Sequence, residues 1–296
     1  MGKIRSAKIR NAKIADKIMT IVFYCIALLF LMLLLVLALY VVIKGFVDFK
    51  LEYLSFNRKG IGNQFFNTLY LVFLSLLISV PLGTLAGIYM SEYAKQGRIT
   101  KFLRISIETL SSLPSILVGL FGYLVFIVMT GARWNLMAGA LAVSILSIPL
   151  ITTTTVDAFK SLEVGYKNGS LGLGATHWQT IYHVMLPACF PRIMTGIILA
   201  AGRGFGEAAA LLYTSGMSTD INWSNWNLSS ATCALNPFRP GETLSLLIWA
   251  SRSEAVSANA TQIANLSSAV LMIMVFTFSI GARMLSRRIN KKAKGC

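Results

Sequence analysis

Along this chain, long apolar stretches alternate with shorter polar ones, and six of the apolar stretches are long enough to cross a bilayer. A helix needs about 20 mostly apolar residues to traverse the hydrocarbon core. The qualifying stretches run roughly over 18–43, 65–91, 109–131, 134–156, 193–216 and 263–282. The first, Ile18 to Ile43, carries no charge over 26 residues. A signal peptide's apolar core is about 7–15 residues and ends in a small-residue cleavage site, so this stretch reads as a retained span. Only Gly131, Ala132 and Arg133 separate the third stretch from the fourth, which predicts a tight turn between antiparallel helices. The fifth is the exception in composition, because it contains Arg203 and Glu207. The pattern predicts an all-α, polytopic membrane protein with six transmembrane helices.

The polar stretches complete the layout. A basic tail over 1–17 precedes the first span and its outer connection, 18–60; a core follows over 61–288, with a tail at 289–296. Two connections inside the core are long. The one at 157–192 reads as two short helical pieces around a small-residue elbow at Gly172 and Gly174. Ile181, Val184, Met185 and Leu186 supply one apolar face there, and Pro187 and Pro191 predict the turn into the fifth span. The other connection, 217–262, is rich in Asn, Ser and Trp and contains Pro237 and Pro240, which predicts an ordered or semi-ordered loop.

Composition agrees with a bilayer as solvent: mean hydropathy is +0.68, 55% of residues are apolar and 13% are charged. A soluble chain this apolar would expose large adhesive patches. The net charge of +16 invites a nucleic-acid reading, and position removes it. Lys3, Arg5, Lys8, Arg10, Lys13 and Lys17 precede the first span, while Arg283, Arg287, Arg288, Lys291, Lys292 and Lys294 follow the last. Basic groups that flank apolar spans set orientation rather than bind nucleic acid. With both termini cytoplasmic, that side gains Lys95, Arg98, Lys101, Arg104, Lys160, Lys167 and Arg192 as well, nineteen basic residues in all. The opposite side holds seven: Lys44, Lys50, Arg58, Lys59, Arg133, Arg239 and Arg252.

Other chemistries find no support in the sequence. Cys25, Cys189, Cys233 and Cys296 lack metal-ligand spacing, and His177 and His183 lack clustered partners. The only Gly-Lys pair is Gly2-Lys3, so the chain has no phosphate-cradling loop of its own. No catalytic residue, metal or cofactor is expected.

Arg203 is the polar residue that most needs an explanation. It lies eleven residues past Arg192, about 16 Å along a helix and so near the bilayer midplane. Such a position costs about 2.5–3.5 kcal/mol on insertion scales. Two things would offset that. Glu207, at i+4, would share a helix face, and a passing anion would match the planar guanidinium fork. Thr152 to Thr155 end the fourth span, where hydroxyls commonly bond back to their own helix. Ser112 and Ser115 flank Pro114 and are candidate donors where that proline interrupts the third span.

The segment 160–191, KSLEVGYKNGSLGLGATHWQTIYHVMLPACFP, resembles the coupling loop of permeases of binding-protein-dependent ABC importers. That family carries Glu-Ala-Ala, three residues, Gly, nine residues, then Ile-x-Leu-Pro. Here Asn168, Gly169 and Ser170 take the first places, Gly174 the next, and Val184, Met185, Leu186 and Pro187 the last. Asn168 replaces the usual acidic residue, which removes one salt bridge to the ATPase. The runs from Pro81 to Tyr93, from Leu113 to Gly119 and from Gly202 to Ala208 are similar to PstA-type permeases of phosphate importers. The resemblance implies a type I ABC importer permease fold and a docking helix near 167–184. It also implies a first span that wraps a second, PstC-type permease. Two PstB-type ATPase subunits and an external PstS-type phosphate-binding protein would complete the assembly. Such permeases often hold a basic residue where Thr153 stands, which leaves more of the anion contact to Arg203. Another oxyanion cargo, or a proton-coupled carrier using Glu207 as relay, stays open at this point.

Overall fold

Within a bilayer every backbone N–H and C=O must be satisfied inside the protein, and long apolar stretches meet that demand as helices. The computed structural model describes residues 2–47, 49–57, 60–95, 97–218, 220–253 and 259–293, with side chains from 13 to 288 within those ranges. The terminal cations Lys3, Arg5, Lys8, Arg10, Lys291, Lys292 and Lys294, the outer pair Arg58 and Lys59, and Cys296 lie outside the described side chains.

Helix α1 runs Gly2–Phe46, and a single 3-10 turn follows at Leu51–Leu54. Helix α2 spans Gly62–Ile88 and closes on a wide π turn, Tyr89–Tyr93. Helix α3 is Arg98–Ser112; α4 is Ser115–Tyr123, extended by a π turn at Leu124–Val128. Helix α5 covers Leu136–Lys160, and α6 covers Val164–Gly172. Helix α7, His177–Thr180, passes through a π turn at Ile181–Met185 into α8, Leu186–Gly206. Then come α9 (Ala209–Thr214), α10 (Leu244–Ser253) and α11 (Ala260–Ala293). Among the described residues, five helices are long and apolar enough to cross a membrane, and the bent pair α3–α4 brings the number to six.

Helix α5 stands at the centre, against α2, α4, α8 and α9. Its most apolar window is 67% buried, whereas that of α1 is 0% buried. Small residues let α2 and α5 approach closely: a Cβ on Gly83 would sit 2.8 Å from Ile151, and one on Gly87 would sit 2.5 Å from Thr155. Close backbone approach of this kind holds helices together where the solvent is itself apolar. Ser144 adds a bond across the same interface, its Oγ donating to the Ser75 carbonyl at 3.1 Å. Helix α1 touches α11 near its C-terminal end and otherwise presents its apolar surface outward.

Three expectations need correction. The third stretch is not one helix over 109–131. Pro114 has no N–H and drives Leu113 to extended backbone (φ −65°, ψ 134°), so α3 and α4 meet at a 100° bend. The fifth stretch is also broken, because α8 ends at Gly206 and Glu207 is extended (φ −70°, ψ 124°). Finally, Pro187 and Pro191 do not turn the chain. They lie inside a continuous helical run, His177–Gly206, and the π turn immediately before Pro187 passes the Leu186 N–H to the Ile181 carbonyl. A widened turn there relieves the clash that a proline ring makes with the preceding turn.

Candidate translocation pathway and coupling loop

Arg203 sits one turn from the end of α8, on an uncovered stripe of that helix. Arg192, Thr195, Leu199, Arg203 and Gly206 are all exposed, at spacings that keep them on one face. Gly202 and Gly206 beside it have nothing within 4 Å of where a Cβ would stand. Among the described residues Arg203 makes no ion pair and no hydrogen bond.

Of the two groups that could offset Arg203, Glu207 makes no pair with it among the described residues, and the break at Glu207 is the reason. Instead Glu207, 8% exposed, splices the broken span. Its Oε1 accepts from the Ala210 N–H at 3.0 Å, and its carbonyl accepts from Ser245 Oγ at 2.6 Å. Non-helical backbone at membrane depth needs such internal partners. The short α9 that follows packs on α4 so tightly that a Cβ on Gly119 would lie 2.6 Å from Ala210 Cα.

The other candidate pathway residues do not converge on Arg203. Gly204 meets Val72 and Val143, whereas Gly196 meets Thr154. Arg203 is thus level with the Val143 turn, in the first half of α5, and Thr153 lies about 10–15 Å further along the helix axis. Thr153 Oγ1 donates to the Pro149 and Leu150 carbonyls at 3.0 and 3.1 Å, and Thr154 and Thr155 bond back in the same way. The exception is Thr152, buried with no partner for its hydroxyl among the described residues. Thr152 and Thr153 line a pocket of about 210 Å³ with Arg104, Glu108, Asp157 and Lys160. Ser112 Oγ donates to its own helix at the Thr109 carbonyl, 2.8 Å away, and half-buried Ser115 opens α4.

The connection after α5 is built around Gly174. Its φ of +87° lies in the left-handed region, and a Cβ there would meet nothing within 4 Å. Backbone conformation, not crowding, demands the glycine. The Gly174 N–H donates to the Leu171 carbonyl and the Ala175 N–H to the Ser170 carbonyl, at 3.0 and 3.3 Å. This pair of bonds closes α6 as a Schellman motif. Thr176 then opens α7 with a capping box: its Oγ1 accepts from the Gln179 N–H, and Gln179 Oε1 accepts from the Thr176 N–H.

Beyond that cap, Ile181 and Met185 turn inward against Ile88, Ala158, Phe159, Cys189 and Ile193, with Leu186 partly covered and Val184 half-buried. Asn168 and Gly169 are exposed, Ser170 is half-buried with its Oγ 3.0 Å from Thr180 Oγ1, and Pro187 is exposed. Leu173 is 91% exposed, and Trp178 and Tyr182, also exposed, stack on each other at 6.3 Å.

The sequence signature of the family described as "binding-protein-dependent transport system inner membrane component" matches residues 79–295. This chain belongs to that family. It is 41% identical over 289 residues to the probable ABC transporter permease protein YqgI of Bacillus subtilis (strain 168), covering 95% of this chain and 98% of that one. It is 30% identical over 236 residues to the phosphate transport system permease protein PstA of Xylella fastidiosa (strain 9a5c), covering 78% and 76%. In fold it superposes on a chain of a bacterial alginate ABC transporter with a TM-score of 0.64 at 17% identity, over 91% of this chain and 95% of that one. The architecture is accordingly the type I ABC importer permease fold, and the chain is a multi-pass inner-membrane component of a binding-protein-dependent transport system.

Two features of this permease had escaped sequence reasoning. Arg239, counted above only as an external charge, is 1% exposed. Its Nη2 donates to Asn67 Oδ1 at 2.5 Å and to the Ala234 carbonyl at 3.2 Å, and its Nη1 donates to the Pro240 carbonyl at 3.3 Å. Burial lowers its pKa to about 10, still far above neutrality. The second is Glu92, whose carboxylate faces both Lys167 and His177. The available signal was only a lone charge at the end of an apolar span.

Proposed function

We propose that this chain is the permease subunit of an ATP-driven inorganic phosphate importer and forms half of the translocation pathway. A PstC-type permease supplies the other half, one of two PstB-type ATPases docks on the loop around Gly174, and a PstS-type binding protein delivers phosphate. Both termini lie in the cytoplasm, on the strength of the nineteen-to-seven distribution of basic residues. The observation that carries the reading is Arg203: an exposed guanidinium without a partner among the described residues, on an uncovered stripe of a helix long and apolar enough to cross the membrane. Facing lipid, that charge would be costly. Facing a shared pathway, it gives a phosphate oxygen pair a planar donor fork. The 30% identity to a phosphate transport permease points to the same cargo.

In vesicles containing the whole complex, Arg203→Ala should lower labelled-phosphate uptake about 10- to 100-fold, the equivalent of one lost charge-assisted contact. Arg203→Lys should recover little, because an ammonium lacks the fork. Normal uptake by the alanine variant removes Arg203 from the pathway. Uptake of molybdate, tungstate, sulfate or phosphonate but not phosphate by the parent moves the assignment to that anion. Uptake that needs no ATP and stops with an uncoupler replaces the importer with a proton-coupled carrier.

A further inference from the structure

Little ties α6 to the membrane-embedded bundle. None of its residues is buried, and its neighbours are mainly α7 and the π turn that follows. The exception is Lys167. Its Nζ donates to Glu92 Oε2 at 2.6 Å, and His177 Nε2 faces the same oxygen at 3.2 Å. Glu92 belongs to the π turn that ends α2, and its side chain is 8% exposed. One buried carboxylate thus receives a group from each helix that flanks the Gly174 elbow. The Tyr93 ring, next in the chain, lies 5.0 Å from the His177 ring and braces the same junction.

What Glu92 connects to on the other side is stiff. From it α2 runs back along α5, with Gly87 against Thr155 and Gly83 against Ile151, where no Cβ would fit. Packed interfaces of that density move as one body. Displacement of the α6–α7 elbow therefore has a polar route into the α2–α5 pair through Glu92, beside the apolar one that Ile181 and Met185 make with Ile88, Ala158 and Phe159.

We infer that Glu92 is a positioning residue that transmits movement of the docking loop into the α2–α5 pair, with Lys167 and His177 as its two grips. The inference rests on the loop being the ATPase-docking element. A purely stabilising ion pair would alter thermal unfolding and leave the ratio of transport to hydrolysis untouched; a transmitting one alters the ratio.

The test uses the complete complex in vesicles, with labelled phosphate and the binding protein outside. Glu92→Gln keeps the shape and removes the charge. The ATPase should stay bound, while phosphate moved per ATP and the stimulation of hydrolysis by the binding protein both fall, about 5- to 30-fold, the range of ordinary inter-site coupling. The exchange Glu92→Lys with Lys167→Glu should restore at least half of that loss, and neither single change should. Parental stoichiometry in Glu92→Gln overturns the inference. If the single variant sheds the ATPase, reassembly in the exchange variant supports the pair, and failure to reassemble overturns it. A parent complex that binds no ATPase defeats the docking reading, and the inference falls with it. A parent that hydrolyses ATP on demand but carries no phosphate defeats only the cargo assignment, and the stimulation ratio still decides Glu92.

Discussion

The two long connections of this chain are both polar in sequence, yet one is folded into the protein and the other is held at its edge. In one, the segment before α10 packs Cys233, Asn236, Arg239, Glu242 and Thr243 out of solvent. Its polar atoms reach the start of α2: Glu242 accepts from Gln64, its carbonyl accepts from Asn67 at 2.9 Å, and Trp223 Nε1 donates to Asn63 Oδ1 at 3.1 Å. Phe56 and Phe66 close on Trp223 edge to face, at 5.2 and 5.0 Å. In the other, α6 buries nothing and is held by Lys167 on Glu92 and by Ser170 on Thr180. Segments that must move are drawn from the weakly held part of a structure. With the orientation and the ATPase partners proposed above, the contrast fits an outer cap that keeps its shape and an inner loop that yields to a motor.

The contrast breaks most visibly at Arg239. Arg239→Ala leaves Asn67 Oδ1 and two backbone carbonyls without their donor in a buried site, at a cost of about 3–5 kcal/mol. The detergent-solubilised variant should unfold at markedly lower temperature and lose protease resistance first over 217–243. Unchanged melting and proteolysis would mean that the cap is as loosely held as the inner loop.

A change in the inner loop should act on coupling more than on stability. Gly174→Leu forces a β-carbon into left-handed backbone, which costs about 1–2 kcal/mol locally. The Schellman closure of α6 then shifts, and with it the exposed Leu173, Trp178 and Tyr182 surface. Co-purified ATPase and substrate-stimulated hydrolysis should fall while the melting temperature barely moves. Gly174→Asn should be milder, since asparagine tolerates that conformation better. Full retention of the ATPase in Gly174→Leu would make the loop a merely interfacial segment.

How much of this was legible in the sequence depended on the range of the interactions. The spans were readable because a bilayer imposes length and apolarity locally, residue by residue. The Gly174 elbow was readable because small residues stand between two periodic runs, although only the φ of +87° decides between conformation and crowding. Pro114 signalled an interruption, but not a 100° bend. The break at Glu207 left no such mark. It depends on Ser245 reaching its carbonyl from 38 residues away, and on Ala210 taking its side chain as a cap. A continuous helix there would have put Glu207 on the Arg203 face, one of the two offsets open in the sequence; the break removes it. Helix α10 was missed because its apolar run, Leu244 to Trp249, is too short to span and was read as loop. Arg239 and Glu92 were invisible as buried groups, since their partners lie 172 and 75 residues away.

The smallest expected effect is at Glu242, and it separates two kinds of outer cap. Burial raises the Glu242 pKa from 4.5, against a hydrogen bond from Gln64 that lowers it. With a folded-state pKa above the unfolded one, the folded protein holds more protons than the unfolded chain between 4.5 and the raised value. Stability therefore falls as pH rises through that window and is level on either side of it. Glu242→Gln removes the titration and keeps an oxygen for Gln64. The variant should match the parent at the acid end, be as stable or slightly more stable at neutral pH, and lose the slope between. Thermal unfolding in detergent from about pH 4 to about pH 8 reads all three, a range that brackets the ordinary carboxylate and histidine pKa values. A variant less stable than the parent at neutral pH would mean that the Glu242 charge is needed as a counterweight to Arg239. The cap would then be held as an ionic network, and the Arg239 change should weaken it less in the Glu242→Gln background than in the parent.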